Sequence, residues 1–122
     1  MVYNHSINNI PSKRRHTLIT LKSTDLFDEW FKHLKDYSAR QKIAVRLDRV
    51  VYGNFGDHKR LNEYLWELRI REGKGYRVYY TLIGDTVCFL LAGGHKGTQS
   101  KDIKLATQIA EDLIKEHINE CH

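Results

Sequence analysis

Hydrophobic residues change their spacing along the chain in a way that separates helices from strands. A run of β-branched and apolar residues at 17–22 predicts a first strand. Apolar residues then recur at steps of three and four over 26–34 and again over 43–51, which predicts two amphipathic helices joined by a short turn. Ser38 is a candidate N-cap of the second helix, and Gly53 is its predicted stop.

The second half of the chain has a different pattern. The polar stretch 54–62 predicts a loop, and Gly93-Gly94 is predicted to end the sheet. A last amphipathic helix carries apolar residues from 103 to 114. Glycine-containing turns separate strand candidates and predict antiparallel hairpins. Alternation with period two marks three such strands, at residues 64–72, 76–83 and 86–92.

These elements predict an α+β fold. It consists of an N-terminal strand, a helical hairpin, a three-stranded antiparallel meander and a C-terminal helix, with the helices on one face of the sheet. The 122 residues suffice for one domain with a core of its own. We expect a basic N-terminal arm at 1–16, the domain at 17–118 and a short tail at 119–122.

Composition and charge narrow the functional class. With 41% hydrophobic and 29% charged residues, the chain is typical of a soluble globular domain. It has no apolar run long enough for a membrane span and no secretory signal, so we expect a cytoplasmic protein. Cys88 and Cys121 form neither a disulfide framework nor a zinc pattern, and Cys88 is predicted to be an inert buried thiol. The net charge of +5 favours a nucleic acid or another polyanion as partner.

Alternation within the strands places several charged residues on one face of the sheet. Glu67, Arg69 and Arg71 alternate with apolar residues in the first meander strand, as Arg77 and Tyr79 do in the second. Because the apolar faces have to meet the helices, we expect these side chains to cluster on an open face. A merely solvated sheet face is the simpler interpretation. A site is favoured because the loop before the sheet and the segment after it lead to the same region.

Such a set of side chains matches the needs of metal-free RNA cleavage. The ribose 2′-hydroxyl must lose a proton and attack the adjacent phosphorus, and the 5′-oxygen must be protonated as it leaves. Arginine binds phosphate oxygens through its planar fork, and histidine, or tyrosine or lysine with a depressed pKa, moves protons. The sequence has no acidic cluster, HExxH motif or P-loop, so neither a metal nor another cofactor is expected.

Three motifs carry a resemblance to a known family. They are ELRI at 67–70, GYRVYY at 75–80 and GGHKGTQSKDI at 93–103. In this order they resemble the RelE/ParE superfamily of toxins, and most closely the HigB-like addiction module killer branch of type II toxin–antitoxin systems. The resemblance runs from about residue 17 to 113 and implies the compact α+β fold of that superfamily.

The resemblance implies a small cytoplasmic toxin that a co-encoded antitoxin neutralises. RelE-like members are ribosome-dependent endoribonucleases that cut messenger RNA in the ribosomal A site, whereas ParE-like members inhibit DNA gyrase. A gyrase inhibitor acting through its helical hairpin, or a degenerate toxin that only binds its antitoxin, therefore stay as alternatives. The implied partners are the antitoxin, the ribosome and messenger RNA, with DNA bound only through the antitoxin and no membrane contact.

The resemblance also implies site residues. The family's catalytic positions fall on Arg77, Arg69 and Lys96, but Glu67 stands where RelE has a lysine and Ile103 where it has a functional tyrosine. The general base is therefore open among Glu67, His95, His58 and Tyr79. The expected catalytic residues are Arg77, Arg69, Lys96, His95 and Glu67, and the expected RNA-binding residues are Arg71, Lys59, Arg60, His58, Tyr79 and Gln99.

Overall fold

A computed structural model of the chain describes residues 18–120. The predicted arm at 1–16 and the end of the tail, including Cys121, lie outside the described residues. The predicted α+β fold is confirmed. In chain order the elements are β1 (Thr20–Ser23), α1 (Asp25–Lys32), α2 (Tyr37–Val50), β2 (His58–Arg60), β3 (Trp66–Ile70), β4 (Tyr76–Ile83), β5 (Val87–His95), a 3₁₀ turn (Lys96–Thr98) and α3 (Gln99–Glu120).

The strands form a five-stranded sheet in the order β1-β5-β4-β3-β2. The predicted meander is present as β3, β4 and β5, and β1 adds to it parallel to β5. β2 was predicted to be a loop, but it pairs antiparallel with β3, with Lys59 opposite Glu67. Its three exposed residues have no apolar alternation, so the sequence contains no strand signal there.

Side-chain caps fix where the first two helices begin. Thr24 caps α1, because its Oγ1 accepts a hydrogen bond from the Phe27 N–H at 3.0 Å. The same hydroxyl donates to the Leu91 carbonyl at 2.7 Å, which ties α1 to β5. The N-cap of α2 is Asp36 and not the predicted Ser38, whose hydroxyl instead donates to Glu72. Each of these two helices is therefore bonded to its own cap, and Asp36 fixes the short connection from α1 where it enters α2.

Helices cover both faces of the sheet, so the prediction of helices on one face is wrong. α1 and α2 form one core with residues such as Leu68 and Val78, while α3 forms a second core on the opposite face with Tyr79 and Leu91. A β-bulge in β5 explains the error, because the register shift places both Leu91 and Ala92 on the α3 side and interrupts the alternation. No helix of residues 18–120 is long and apolar enough to cross a bilayer.

Gly93 and Gly94 lie within β5 and do not end the sheet as predicted. A methyl group at Gly93 would overlap the Trp30 ring of α1, and one at Gly94 would overlap the Asp102 carboxylate of α3. The two glycines therefore let a helix approach the strand closely from each face.

Replacing Gly93 with alanine tests this close packing. The backbone at Gly93 has no positive φ, so the cost is steric, and we expect a loss of about 1–3 kcal/mol in the free energy of unfolding. Urea denaturation of Gly93→Ala, Trp30→Leu and the double variant measures it. The double variant should lose less than the sum of the single losses, and additive losses would contradict the contact.

Candidate functional site

A cavity of about 420 Å³ lies beside the turn that joins β3 to β4. The backbone of Gly73 and Gly75 forms part of its wall. We call it the arginine cavity, because β3, β4 and the segments next to them bring four basic side chains to its wall. These side chains are Arg69, Arg71, Arg77 and Lys96.

Arg69 and Arg77 form a directly opposed cross-strand pair on β3 and β4. Like charges in this position normally destabilise a sheet, since their Cβ atoms lie only about 5 Å apart. Gly94 is the partner of Arg77 on β5, so the third strand adds no side chain to this row. Two adjacent guanidinium groups without an intervening side chain make a site for an anion with several oxygens, such as a phosphate.

Hydrogen bonds to the β3–β4 turn hold Arg77 in place. Its Nη1 donates to the Gly75 carbonyl at 2.8 Å, and the backbone N–H of Lys96 donates to the same carbonyl at 3.0 Å. Gly75 has φ +76°, a conformation that favours glycine. The turn thus fixes Arg77 and the start of the Lys96 segment through one carbonyl group.

A buried carboxylate supports Arg77 from behind. Glu67 is 2% exposed, and its Oε2 lies 3.4 Å from the Arg77 Nε. The same oxygen accepts a hydrogen bond from Gln99 Nε2 at 2.8 Å. Glu67 does not line the arginine cavity, and the amide of Gln99 is engaged by Glu67 at the start of α3. Gly75 binds Nη1, and Nε is buried beside Glu67 without a hydrogen-bond partner among the described residues, so Nη2 is the Arg77 nitrogen left for a ligand.

Asp57 orients the other two arginines, a role that the sequence analysis missed. Its Oδ1 accepts from Arg69 Nε at 3.2 Å and Nη2 at 3.0 Å, and its Oδ2 accepts from Arg71 Nε at 3.0 Å. The hydrogen bond from Arg71, together with the Arg69 charge, lowers the pKa of Asp57 although partial burial opposes this. An aspartate twelve residues before an arginine gives no periodic signal, because a loop and a strand edge bring the two together.

Arg46 fixes the loop that carries Asp57. Its guanidinium donates to the carbonyls of Arg69 at 2.7 Å, Phe55 at 3.0 Å and Asp57 at 2.9 Å. Helical periodicity predicts that Arg46 lies on an exposed basic side of α2, but it is partly buried and desolvation lowers its pKa. Its charge thus satisfies backbone carbonyls and joins α2 to the site.

Replacing Asp57 with asparagine tests this bridge through its pH dependence. The folded-state pKa of Asp57 is lowered, so the ionised carboxylate stabilises the fold above the unfolded pKa of about 4 and loses this effect as pH falls through the folded value. We expect Asp57→Asn to lose about 1 kcal/mol at neutral pH. Urea unfolding at several pH values should show this difference shrinking below about pH 4. If the difference in unfolding free energy does not change with pH, it comes from packing and not from the Asp57 charge.

Tyr79 is fully buried beneath α3, so the prediction that it lies on an open face is wrong. Burial and the nearby charges of Glu67 and Asp102 raise its pKa, which keeps the phenol protonated. Its side chain therefore cannot serve as a general base or contact RNA in this structure. Lys59 is exposed opposite Glu67 on β2, outside the arginine cavity.

His58 and Arg60 lie at the β2 edge, with their side chains on the face opposite the arginine cavity. The His58 ring lies between Phe55 and Trp66, with centroid distances of 5.7 and 5.8 Å, and its Nδ1 is 2.8 Å from the Gly56 carbonyl. The Arg60 guanidinium lies 5.4 Å from the centre of the Trp66 ring. The structure thus does not bring these two residues to Arg77.

His95 also lies outside the arginine cavity. Its Nδ1 accepts a hydrogen bond from the Gly97 N–H at 3.1 Å and caps the 3₁₀ turn. None of the predicted candidates for the general base therefore lines the cavity. Glu72 does line it, but Ser38 and Lys42 bind its carboxylate and lower its pKa, which weakens it as a base.

Cys88 is fully buried in the core between the sheet and the first two helices, as predicted. Burial raises the pKa of its thiol to about 12, so it stays protonated at neutral pH. Within residues 18–120, no three His, Cys, Asp or Glu side chains are grouped in a way that could hold a metal ion.

The amino-acid sequence is similar to that of a bacterial protein. No protein-family model matches it. A Haemophilus influenzae protein described only as uncharacterized is 47% identical over 95 residues, which are 78% of this chain and 96% of that protein. The chain belongs to the same family as this protein.

A solved structure shows the fold. A mutant of the E. coli toxin RelE in its free state matches with a TM-score of 0.56, covering 72% of this chain and 97% of that chain at 18% identity. The fold implied by the sequence motifs is therefore confirmed as that of RelE, and the assignment to the HigB-like branch stays a prediction.

Proposed function

We propose that this protein is the toxin of a type II toxin–antitoxin pair and that it cleaves messenger RNA at the ribosome without a metal ion. The arginine cavity is the observation that carries the proposal. It combines the opposed pair Arg69 and Arg77 with Lys96, on the fold of a protein described as a toxin.

The proposed reaction is an internal transfer at phosphorus. The 2′-oxygen attacks the adjacent phosphorus, the bond from phosphorus to the 5′-oxygen breaks, and a 2′,3′-cyclic phosphate and a 5′-hydroxyl result. Arg77 donates from Nη2 to the phosphate oxygens as negative charge accumulates on them, while Arg69 and Lys96 bind and orient the phosphate. Lys96 is the proposed proton donor to the 5′-oxygen, because arginine releases its proton only at very high pH.

The lack of a strong base at the cavity wall supports a role for the ribosome. The proton of the 2′-hydroxyl passes to water in this scheme, so the remaining rate acceleration has to come from holding the 2′-oxygen in line with the phosphorus. Orientation alone contributes up to about 7–11 kcal/mol in the best intramolecular models. A ribosome that holds the messenger in the A site would supply this orientation.

The proposal includes an antitoxin as partner and the cytoplasm as the place where the toxin acts. A cytoplasmic antitoxin with acidic residues would neutralise a protein whose net charge is +5, and any DNA contact of the complex would run through the antitoxin. The exposed cations Lys59 and Arg71 would contact RNA around the cavity.

Cleavage mapping tests the proposal. Primer extension on a defined messenger, with and without ribosomes, should show cuts at A-site codons that depend on ribosomes. Arg77→Lys should weaken these cuts by about 10²–10³-fold, whereas Lys104→Ala, a change of an exposed α3 lysine away from the arginine cavity, should leave them unchanged.

Other outcomes would replace parts of the proposal. Ribosome-independent cuts that still require Arg77 would keep the ribonuclease and remove the A-site mechanism. A protein that arrests growth without any cleavage would contradict the ribonuclease and favour the gyrase inhibitor, which a supercoiling assay would then test.

A further inference from the structure

A second cleft lies across the β3–β4 turn from the arginine cavity. It has a volume of about 750 Å³ and shares the wall residues Gly73 and Tyr76 with that cavity. We call it the aromatic cleft. Its wall includes two aromatic side chains and four polar ones: Trp30, Tyr76, Lys35, Asp36, Lys74 and His95.

The aromatic wall is rigidly held. The centres of the Trp30 and Tyr76 rings are 6.4 Å apart at an angle of 58°. Trp30 rests on Gly93, and the Tyr76 hydroxyl donates to Asp36 Oδ2 at 3.3 Å. The Phe27 ring also contacts Trp30, with a centroid distance of 5.8 Å, so the half-buried indole offers a planar apolar group the surface that Gly93, Phe27 and Tyr76 leave uncovered.

The polar groups around this wall include a fixed acceptor and a fixed donor. Asp36 is bound to Ala39 N at 3.1 Å and to Tyr76, yet a carboxylate has room for further donors. His95 accepts from Gly97 on Nδ1, so the proton of its neutral ring lies on Nε2, which makes that atom a donor. Lys35 and Lys74 are exposed donors on the same wall.

We propose that the aromatic cleft binds a guanine base of the RNA whose phosphate lies in the arginine cavity. This inference rests on the proposed ribonuclease function. Proteins read single-stranded RNA by stacking splayed bases on aromatic side chains and by hydrogen-bonding their edges. Guanine presents the donors N1–H and N2–H₂ to the Asp36 carboxylate and the acceptors O6 and N7 to His95 or Lys74.

The other bases match the cleft less well. Adenine and cytosine each place a ring nitrogen lone pair beside their amino group, which would face the Asp36 carboxylate. Uracil has one N–H donor flanked by two carbonyl oxygens. A carboxylate that is half-buried and fixed by two hydrogen bonds discriminates against such acceptors, because an unmatched polar group in the cleft loses its water without gaining a partner.

Titration with nucleotides, followed by NMR, tests this cleft independently of cleavage. The ¹⁵N-labelled protein has two indole N–H signals, of which Trp30 lies in the aromatic cleft and Trp66 on the His58 side, where it serves as an internal control. GMP should shift the Trp30 signal and leave that of Trp66 in place. AMP, CMP and UMP should bind at least about fivefold more weakly. Inorganic phosphate should shift signals of the arginine cavity and leave the Trp30 indole unchanged.

Two matched variants test whether the Asp36 carboxylate recognises the guanine base. Asp36→Asn keeps a residue able to cap α2 but replaces the carboxylate, so GMP should lose at least about fivefold in affinity and its advantage over AMP. Lys104→Ala should bind GMP as the wild type does. Any of three results would contradict guanine binding in the aromatic cleft. These are a Trp30 signal that no nucleotide shifts, an equal response to all four nucleotides, and unchanged GMP binding by Asp36→Asn. If the protein binds GMP in this cleft but cleaves no RNA, the guanine site is supported and the proposed ribonuclease function is contradicted.

Discussion

Replacing Arg77 with lysine is expected to lower ribosome-dependent cleavage by about 10²–10³-fold while the protein stays folded. Lysine keeps the positive charge beside Glu67, so the buried carboxylate is not left alone. What it loses is the planar fork, which donates to Gly75 and presents Nη2 at the same time. Because the lost interaction serves the transition state, the loss should fall on kcat more than on KM.

Arg71→Lys is the matched control for this prediction. Arg71 lines the same cavity, but its side chain is 80% exposed and it contacts only Asp57 among the hydrogen bonds of the described residues. Its replacement should change cleavage less than about tenfold, mainly through binding. Single-turnover rates on programmed ribosomes compare the two variants, and circular dichroism checks folding. Unchanged cleavage by Arg77→Lys would show that positive charge alone suffices at this position, and equal losses in both variants would show that Arg77 matters no more than its exposed neighbour. Either result would contradict the role of Arg77.

Much of the arginine cavity could be predicted because strands impose a period of two. Arg69 and Arg77 alternate with apolar residues that had to face the helices, and hairpin geometry then places them opposite each other. Lys96 follows the last strand directly, so its position near the same end also follows from the topology. Their proximity was inferable, whereas their chemical roles stay part of the proposal.

The parts that could not be predicted depend on contacts between distant segments. The bulge in β5 turns Leu91 and Ala92 to the face that α3 covers, and Tyr79 and Glu67 are buried on that face. A pattern of charged and apolar residues cannot reveal such a cover, since the hydrogen-bond partner of Glu67 is Gln99, which starts α3 and lies 32 residues away in the sequence. The role of Asp57 could not be predicted for the same reason, because only the folded loop brings it to the arginines.

Replacing Arg77 with alanine, in contrast to lysine, is expected to destabilise the protein by about 3 kcal/mol. The variant leaves Glu67 buried at 2% exposure with Gln99 as its hydrogen-bond partner and no cation beside it. Desolvation of a carboxylate is costly when its charge is uncompensated. A loss of activity in Arg77→Ala would therefore mix unfolding with catalysis, which is why the lysine variant carries the kinetic test.

A double-mutant cycle separates the two effects. Glu67→Gln removes the buried charge and can still accept a hydrogen bond from Gln99, so adding it to Arg77→Ala should restore about 1–3 kcal/mol. Urea unfolding of the wild type, both single variants and the double variant measures this coupling. If the losses simply add, the 3.4 Å contact between Arg77 and Glu67 is not an energetic pair. Arg77 would then be oriented by the Gly75 carbonyl alone, and its lysine variant, which loses that bond, should be no more active than the alanine variant once both are folded.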